Sequence, residues 1–141
     1  MIEKYYKYKL DYRDYLIFIK CGSFYECIDN DAFIINKLFN YKIKKLSRNF
    51  KVGFPIRSFE IVLDKICDKK INYIVVDDGI SEKKEFDNNN YSRYVFDEKE
   101  IYFNYIKIER VINYLMDNMM KKDFYKKIKK IEDVIYKSEN D

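Results

Sequence analysis

The chain has 141 residues, which is enough for one hydrophobic core of ordinary domain size and a small appendage. It contains no histidine and three cysteines at irregular spacings, so one chain cannot supply the ligands of a usual zinc site, and we expect no metal, no cofactor and reduced thiols. Lysine and arginine outnumber aspartate and glutamate by 28 to 24, a small excess that permits a polyanionic partner without requiring one.

The N-terminal segment predicts a helix followed by a buried strand. Residues 1–7 alternate charged with aromatic side chains, whereas an export signal needs an unbroken apolar stretch, so we expect a cytoplasmic protein. A short tyrosine-rich helix is predicted over residues 2–11. Residues 15–19, Tyr-Leu-Ile-Phe-Ile, form an apolar run that suits a central strand covered on both faces. No apolar run of about 18 residues occurs, so no membrane span is predicted.

A second strand is predicted directly after the first. The Gly-Ser pair at residues 22–23 breaks the apolar run and would form the turn between two paired strands. Side chains alternate between the two faces of a strand, so Phe24 and Glu26 share one face of the strand at residues 24–28.

The middle of the chain predicts two helices and a third buried strand. Residues 29–31, Asp-Asn-Asp, offer N-cap side chains for a helix whose apolar residues recur at helical spacing. Residues 52–55, Val-Gly-Phe-Pro, fit a strand end or a tight loop. Ser58 is placed to cap an amphipathic helix over residues 59–67, and residues 73–76, Tyr-Ile-Val-Val, predict a strand behind it.

A loop or linker separates this region from the end of the chain. Its apolar content is low, it contains the asparagine run 88–90, and one short strand is predicted near residues 94–96. We therefore expect an α/β domain over residues 1–96, with a mixed sheet flanked by helices, and a C-terminal helical extension over residues 97–141.

The extension predicts two amphipathic helices. Apolar residues at 101, 105, 108, 112, 115 and 119 are spaced by 4, 3, 4, 3 and 4, and a second series begins out of phase at Phe124. The break predicts a turn or kink near residues 121–123. These helices could pack on the domain, on each other or on a second copy of the chain.

The basic charge is concentrated in the first half of the chain. No acidic residue lies between Asp31 and Glu60. This segment is the candidate surface for a polyanion, although a solvated lysine-rich face is the alternative. Its basic residues are Lys37, Lys42, Lys44, Lys45, Arg48, Lys51 and Arg57.

Several of these segments together resemble a known family. Residues 22–26, Gly-Ser-Phe-Tyr-Glu, followed by the Asp-Ala pair at 31–32, resemble the G-D-F-Y-E…D-A signature of domain I of the MutS proteins, their N-terminal DNA mismatch-recognition domain. Residues 52–55 resemble the A-G-I-P of that family, and the order of strands and helices also matches. The resemblance covers about residues 5–78.

The resemblance implies roles for two residues and a basic set. In the family, the Phe of an F-x-E motif wedges beside a mispaired base from the minor groove and the Glu hydrogen-bonds that base, which assigns these roles to Phe24 and Glu26. The alternatives are that Phe24 is a core aromatic residue and that Glu26 is a solubility charge on an edge strand. The DNA backbone would be held by Lys42, Lys44, Lys45, Arg48, Lys51 and Arg57.

The sequence also departs from the family pattern. Ser23 stands where the family usually has Asp, Lys51 falls where a Met commonly approaches the mismatch, and the Asp-Asp pair at 77–78 replaces a Glu-Gln ending. The connector, the clamp and the G-x-x-x-x-G-K-[ST] loop for ATP have no counterpart. The resemblance therefore implies a stand-alone, non-catalytic module that binds double-stranded or distorted DNA and does not signal repair by itself.

Two other classes of function stay open from the sequence. One is a repurposed protein-interaction module or inhibitor, encoded on a mobile element, that binds a protein partner or itself through its surface or its heptad-like helical tail. The other is a nuclease that binds Mg²⁺ through aspartates at strand ends, although capping and turn roles explain these residues more simply. The aspartates in question are Asp29, Asp31, Asp77 and Asp78.

Overall fold

The chain divides into two compact units, Met1–Phe96 and Asp97–Asp141, in a computed structural model that describes the backbone of residues 1–140 and the side chains of residues 1–137. The first unit contains, in chain order, α1 (Ile2–Asp11), β1 (Leu16–Cys21), β2 (Phe24–Ile28), α2 (Asp29–Phe39), β3 (Ile43–Lys45), β4 (Phe50–Pro55), α3 (Phe59–Asp68), β5 (Tyr73–Val76) and β6 (Ile80–Lys84). Short 3-10 helices cover Ile56–Ser58 and Tyr91–Arg93. The second unit contains α4 (Glu98–Asn118) and α5 (Phe124–Asn140).

The first unit is built on a mixed six-stranded sheet. The strand order is β3-β4-β2-β1-β5-β6, with β1 and β5 parallel and the other neighbouring pairs antiparallel. Parallel pairing of Ile17 with Ile74 and of Phe18 with Val75 places the two most apolar strands side by side at the centre. All four side chains are buried. The α/β fold and the two central strands predicted from the apolar runs are confirmed.

Apolar clusters lie on both faces of this sheet. On one face, α2 and α3 pack on β1, β4 and β5, with Phe18, Ile34 and Ile66 among the buried residues. On the other face, Tyr5 of α1 packs with the inward side chains of β1, β2 and β5. Farther along this second face, towards β3, no helix covers the sheet within the part of the chain described, and Lys44 and other residues there are exposed.

The start of α2 differs from the prediction. Residues 29–31 do not cap the helix through their side chains, since its N-cap position is Ile28, without a side-chain cap. The Asp31 carboxylate is instead fully buried and accepts hydrogen bonds from Tyr5, Lys9, Tyr91 and the backbone N–H of Ile17. Ser58 likewise forms no cap hydrogen bond at α3. The buried carboxylate ties α1, β1 and the segment after β6 to α2.

The strand predicted near residues 94–96 is wrong, and a different strand was missed. Residues 94–96 have no strand structure, and Phe96 packs edge to face on Phe33 with ring centroids 6.4 Å apart. One strand that was not predicted is β6, which is exposed along its whole length and has no apolar alternation to reveal it. It follows a tight turn at Asp78-Gly79, where both φ angles are positive, a dipeptide that favours hairpins.

The second unit consists of two helices, as its spacing predicts. The α4 helix is capped by Asp97, whose side chain accepts a hydrogen bond of 3.0 Å from the N–H of Lys99. The helices are joined by a turn in which the N–H of Phe124 donates to the carbonyl of Lys121. None of the helices described, in either unit, is long and apolar enough to cross a membrane.

Candidate nucleic-acid interface

The pairing of β2 fixes the position of Phe24. Its neighbours across the sheet are Cys21 of β1 and Pro55 of β4. The turn before it is held to the end of β4, because the N–H of Ile56 donates a hydrogen bond of 3.0 Å to the carbonyl oxygen of Ser23. Phe24 therefore projects from a strand that is paired on both sides, which gives its side chain a rigid base.

Alternation along β2 leaves Phe24 outside the core. Its neighbour Tyr25 points to the face covered by α2 and α3 and stacks on Phe59 with ring centroids 3.8 Å apart. Phe24 points to the opposite face and is 47% exposed. Core aromatic residues are largely buried, whereas almost half of Phe24 is exposed, so the alternative that Phe24 is a core aromatic is wrong.

Glu26 lies on the same face as Phe24, but much less exposed. It pairs across the sheet with Gly53 of β4 and forms an ion pair of 3.3 Å with Lys51, and its side chain is 15% exposed. Because β2 lies between β1 and β4, the alternative that Glu26 is a charge on an edge strand is also wrong. Its Oε2 atom is enclosed and accepts no hydrogen bond within the part of the chain described.

The predicted basic residues divide between the two faces of the sheet. Lys44 of β3 pairs directly with Lys51 of β4, so these two share the face of Glu26. Lys45 lies on the other face, where its ammonium donates to the carbonyls of Leu46 and Ser47 at 2.7 and 3.0 Å. Lys44 is thus directed towards the candidate interface and Lys45 towards its own loop.

The remaining basic residues are exposed outside the strands. Lys42 precedes β3 and Arg48 lies in the loop between β3 and β4. Arg57 follows β4 and helps to line an open hollow of about 390 Å³ next to the β1–β2 turn. The hollow is lined by Lys20, Gly22, Ser23, Pro55, Ile56 and Arg57.

Sequence reasoning missed two residues of this hollow. Lys20 ends the apolar run of β1 and pairs with Asp77 at 3.5 Å, and Ile56 is 38% exposed beside the turn. Neither belongs to a motif. The β1–β2 hairpin brings Lys20 near Phe24, and the pairing of β4 with β2, which joins segments about 30 residues apart, brings Ile56 there.

Comparison with known proteins now identifies the family. The model of MutS domain I matches residues 1–101 of the chain. The chain belongs to the MutS domain I family.

Relatives of this MutS domain I chain support that assignment. The DNA mismatch repair protein MutS of Borreliella burgdorferi (strain ZS7) is 30% identical over 132 residues, covering 77% of this chain and 15% of the relative. The DNA mismatch repair protein MutS of Ehrlichia ruminantium (strain Gardel) is 32% identical over 73 residues, covering 52% of this chain and 9% of the relative. The chain thus spans a small fraction of the length of these relatives. In the MutS family, domain I is a DNA-recognition domain.

Two of the aspartates considered for a nuclease, Asp29 and Asp31, have other partners in this MutS domain I. Asp29 accepts hydrogen bonds from the N–H of Phe50 at 2.8 Å, from Asn49 at 2.7 Å and from the hydroxyl of Tyr6. Asp31 is fully buried in the network described above. Among the residues described, no three His, Cys, Asp or Glu side chains are grouped so that they could hold a metal ion.

Proposed function

We propose that the chain is a non-catalytic DNA-binding module that recognises mismatched, distorted or unpaired DNA. The observation that carries the proposal is the exposed ring of Phe24 on a rigid strand, with the carboxylate of Glu26 beside it on the same face. A ring and a hydrogen-bonding group two residues apart on a strand are able to address the same nucleotide.

The selectivity of such a module comes from the energy needed to open a base step. Inserting Phe24 unstacks two base pairs at a cost of a few kcal/mol, and this cost is lowest where pairing is already defective. Matched duplex therefore resists insertion, whereas a mismatch or an unpaired base accepts it. Glu26 adds a hydrogen bond to the displaced base if that base offers an N–H group.

The affinity of the module comes from cations around the wedge. Lys44 and Lys51 share the face of Phe24 and Glu26, and Lys42, Arg48 and Arg57 are exposed outside the strands. We expect these five side chains to contact phosphates. Such contacts bind every sequence alike and weaken with salt. We include Lys45 as a secondary contact, because its ammonium already serves its own loop.

A binding titration tests this function. Fluorescence anisotropy would compare a matched duplex, a G·T mismatch and a one-base bulge at two salt concentrations. We expect a dissociation constant for matched duplex on the order of 10⁻⁴ to 10⁻⁶ M, tighter binding to the two defective duplexes, and a steep salt dependence for all three. Equal affinities would contradict recognition of defects. No binding at low salt would favour the protein-interaction alternative, which family membership does not favour.

A further inference from the structure

We propose that Lys51 is a positioning residue that limits selectivity, because it holds the Glu26 carboxylate in an ion pair until a mispaired base replaces it. The proposal rests on the function proposed above, because it concerns how Glu26 becomes available to a base. It assigns a role to a lysine that stands where the family commonly has a methionine.

The register of the sheet places the two charges in reach of each other. Glu26 is paired with Gly53, and Lys51 stands two residues before Gly53 on β4, on the same face. A Cβ atom at position 53 would lie 3.5 Å from Cγ of Glu26, so the stem of Glu26 rests against this glycine. With no side chain at position 53, nothing stands between the carboxylate and the ammonium 3.3 Å away.

The energetics make the ion pair both necessary and replaceable. Oε2 of Glu26 is enclosed and accepts no hydrogen bond among the described residues, so Lys51 is what compensates for its lost hydration. An ion pair without hydrogen-bond geometry is weaker than a charge-assisted hydrogen bond. An N–H group of a displaced base would offer Glu26 such a bond, and the carboxylate would gain by exchanging partners.

The geometry also sets the direction of the exchange. Lys51 lies opposite Ile28 and Phe24 lies opposite Pro55, so the lysine and the wedge stand on opposite sides of Glu26 along the strands. A base unstacked by Phe24 therefore competes with Lys51 for one carboxylate.

On matched DNA the ion pair has a second effect. The wedge is not inserted there, so Glu26 stays paired and its charge is compensated near the phosphates. Without Lys51, the carboxylate repels matched duplex and is also free to meet a mispaired base. Loss of Lys51 is therefore expected to reduce matched binding more than mismatched binding, and to raise the ratio of the two affinities.

The first test compares two lysines on the same face in the full chain. Lys51→Met should raise the ratio of mismatched to matched affinity about fivefold, the upper range for a partly exposed ion pair. The control Lys44→Met removes the same charge from the neighbouring strand and should leave the ratio unchanged. Lys51→Arg should keep the ratio of the parent protein. In a Glu26→Gln background, Lys51→Met should no longer change the ratio, because its partner is gone.

The second test uses the protein without DNA and keeps the two proposals apart. In NMR spectra of lysine ammonium groups, Glu26→Gln should shift the Lys51 signal, whereas Glu60→Gln on α3 should not. If the Lys51 signal does not shift in Glu26→Gln, the ion pair is overturned. This test does not use Lys51→Met, so it decides the question even if that variant does not fold. If the parent protein is selective but Lys51→Met and Lys44→Met have the same ratio of mismatched to matched affinity, the role of Lys51 is overturned and the proposed function stands. A parent protein without selectivity overturns the proposed function, and the role of Lys51 with it.

Discussion

At the residue scale, adjacent side chains of β2 serve different purposes. Tyr25 is stacked against Phe59 in the core, whereas Phe24 on the opposite face is exposed. The alternation of a strand predicts this division from the sequence. The ion pair of Glu26 with Lys51 could not be predicted, because it depends on the register between strands that are about 25 residues apart in the chain.

Replacing Phe24 with alanine should reduce selectivity and leave stability unchanged. We expect a loss of about 1–3 kcal/mol in binding to a mismatched or bulged duplex and little change on matched duplex, because only the defective sites accept the ring. Anisotropy titrations measure both. The control is Ile61→Ala, which removes an exposed apolar side chain from α3. A Phe24→Ala protein that melts at a lower temperature and binds all duplexes as before would show that the ring serves the fold.

At the element scale, the chain's strands differ in how well the sequence predicts them. β1 and β5 are apolar runs because both of their faces are covered, and such runs are visible without any structure. β6 has five exposed residues, so burial leaves no pattern in it. The buried position of Asp31 is equally hidden from local patterns, because Tyr5 and Lys9 of α1 and the distant Tyr91 approach it from two other segments of the chain.

A charge in either central strand should prevent folding. Ile17→Asp or Val75→Asp would bury an unpaired carboxylate among apolar side chains, a change that costs more than the usual stability of a domain this size. The matched control is Ile80→Asp on β6, where the side chain is 41% exposed and a charge remains hydrated. Circular dichroism and proton NMR should find only the control folded. A folded Ile17→Asp protein would contradict the central position of β1.

At the scale of the whole molecule, stability should fall in alkaline solution. Burial raises the pKa of Tyr5 and of Tyr91 well above the ordinary value of 10.0, and the nearby Asp31 charge raises it further. Below pH 10 the folded and the unfolded chain both keep the phenolic protons of Tyr5 and Tyr91. Above pH 10 only the unfolded chain loses them. The free energy of unfolding should therefore drop above about pH 10, by about 1.4 kcal/mol per pH unit for each tyrosine.

Urea titrations between pH 8 and pH 11.5 would measure this decrease. In Tyr91→Phe the free energy of unfolding should decrease less steeply with pH, by the contribution of one tyrosine, since phenylalanine has no phenolic proton. The same variant should also be less stable at neutral pH, because its hydrogen bond of 2.6 Å to Asp31 is lost. An equal slope in the parent protein and in Tyr91→Phe would contradict this explanation.

The charge distribution of the whole molecule should determine how binding responds to salt. Replacing Lys44 and Arg48 together with alanine should weaken matched and mismatched binding about equally. The slope of log affinity against log salt concentration should fall by the amount that corresponds to about two phosphate contacts. Lys45→Ala is the adjacent control, and its effect on the slope should be much smaller, since its ammonium is engaged by its own loop. An unchanged slope in the double variant would place the DNA surface elsewhere.

The two outer strands of the sheet also affect how copies of the chain meet one another. β3 has only three residues and includes Lys44 and Lys45, and β6 includes Glu82, Lys83 and Lys84. Short or highly charged outer strands are poor templates for a strand from another molecule. If the proposed DNA binding holds, copies bound close together on one DNA molecule present these edges to one another. Their length and charge should keep such crowding reversible and prevent it from leading to fibrils.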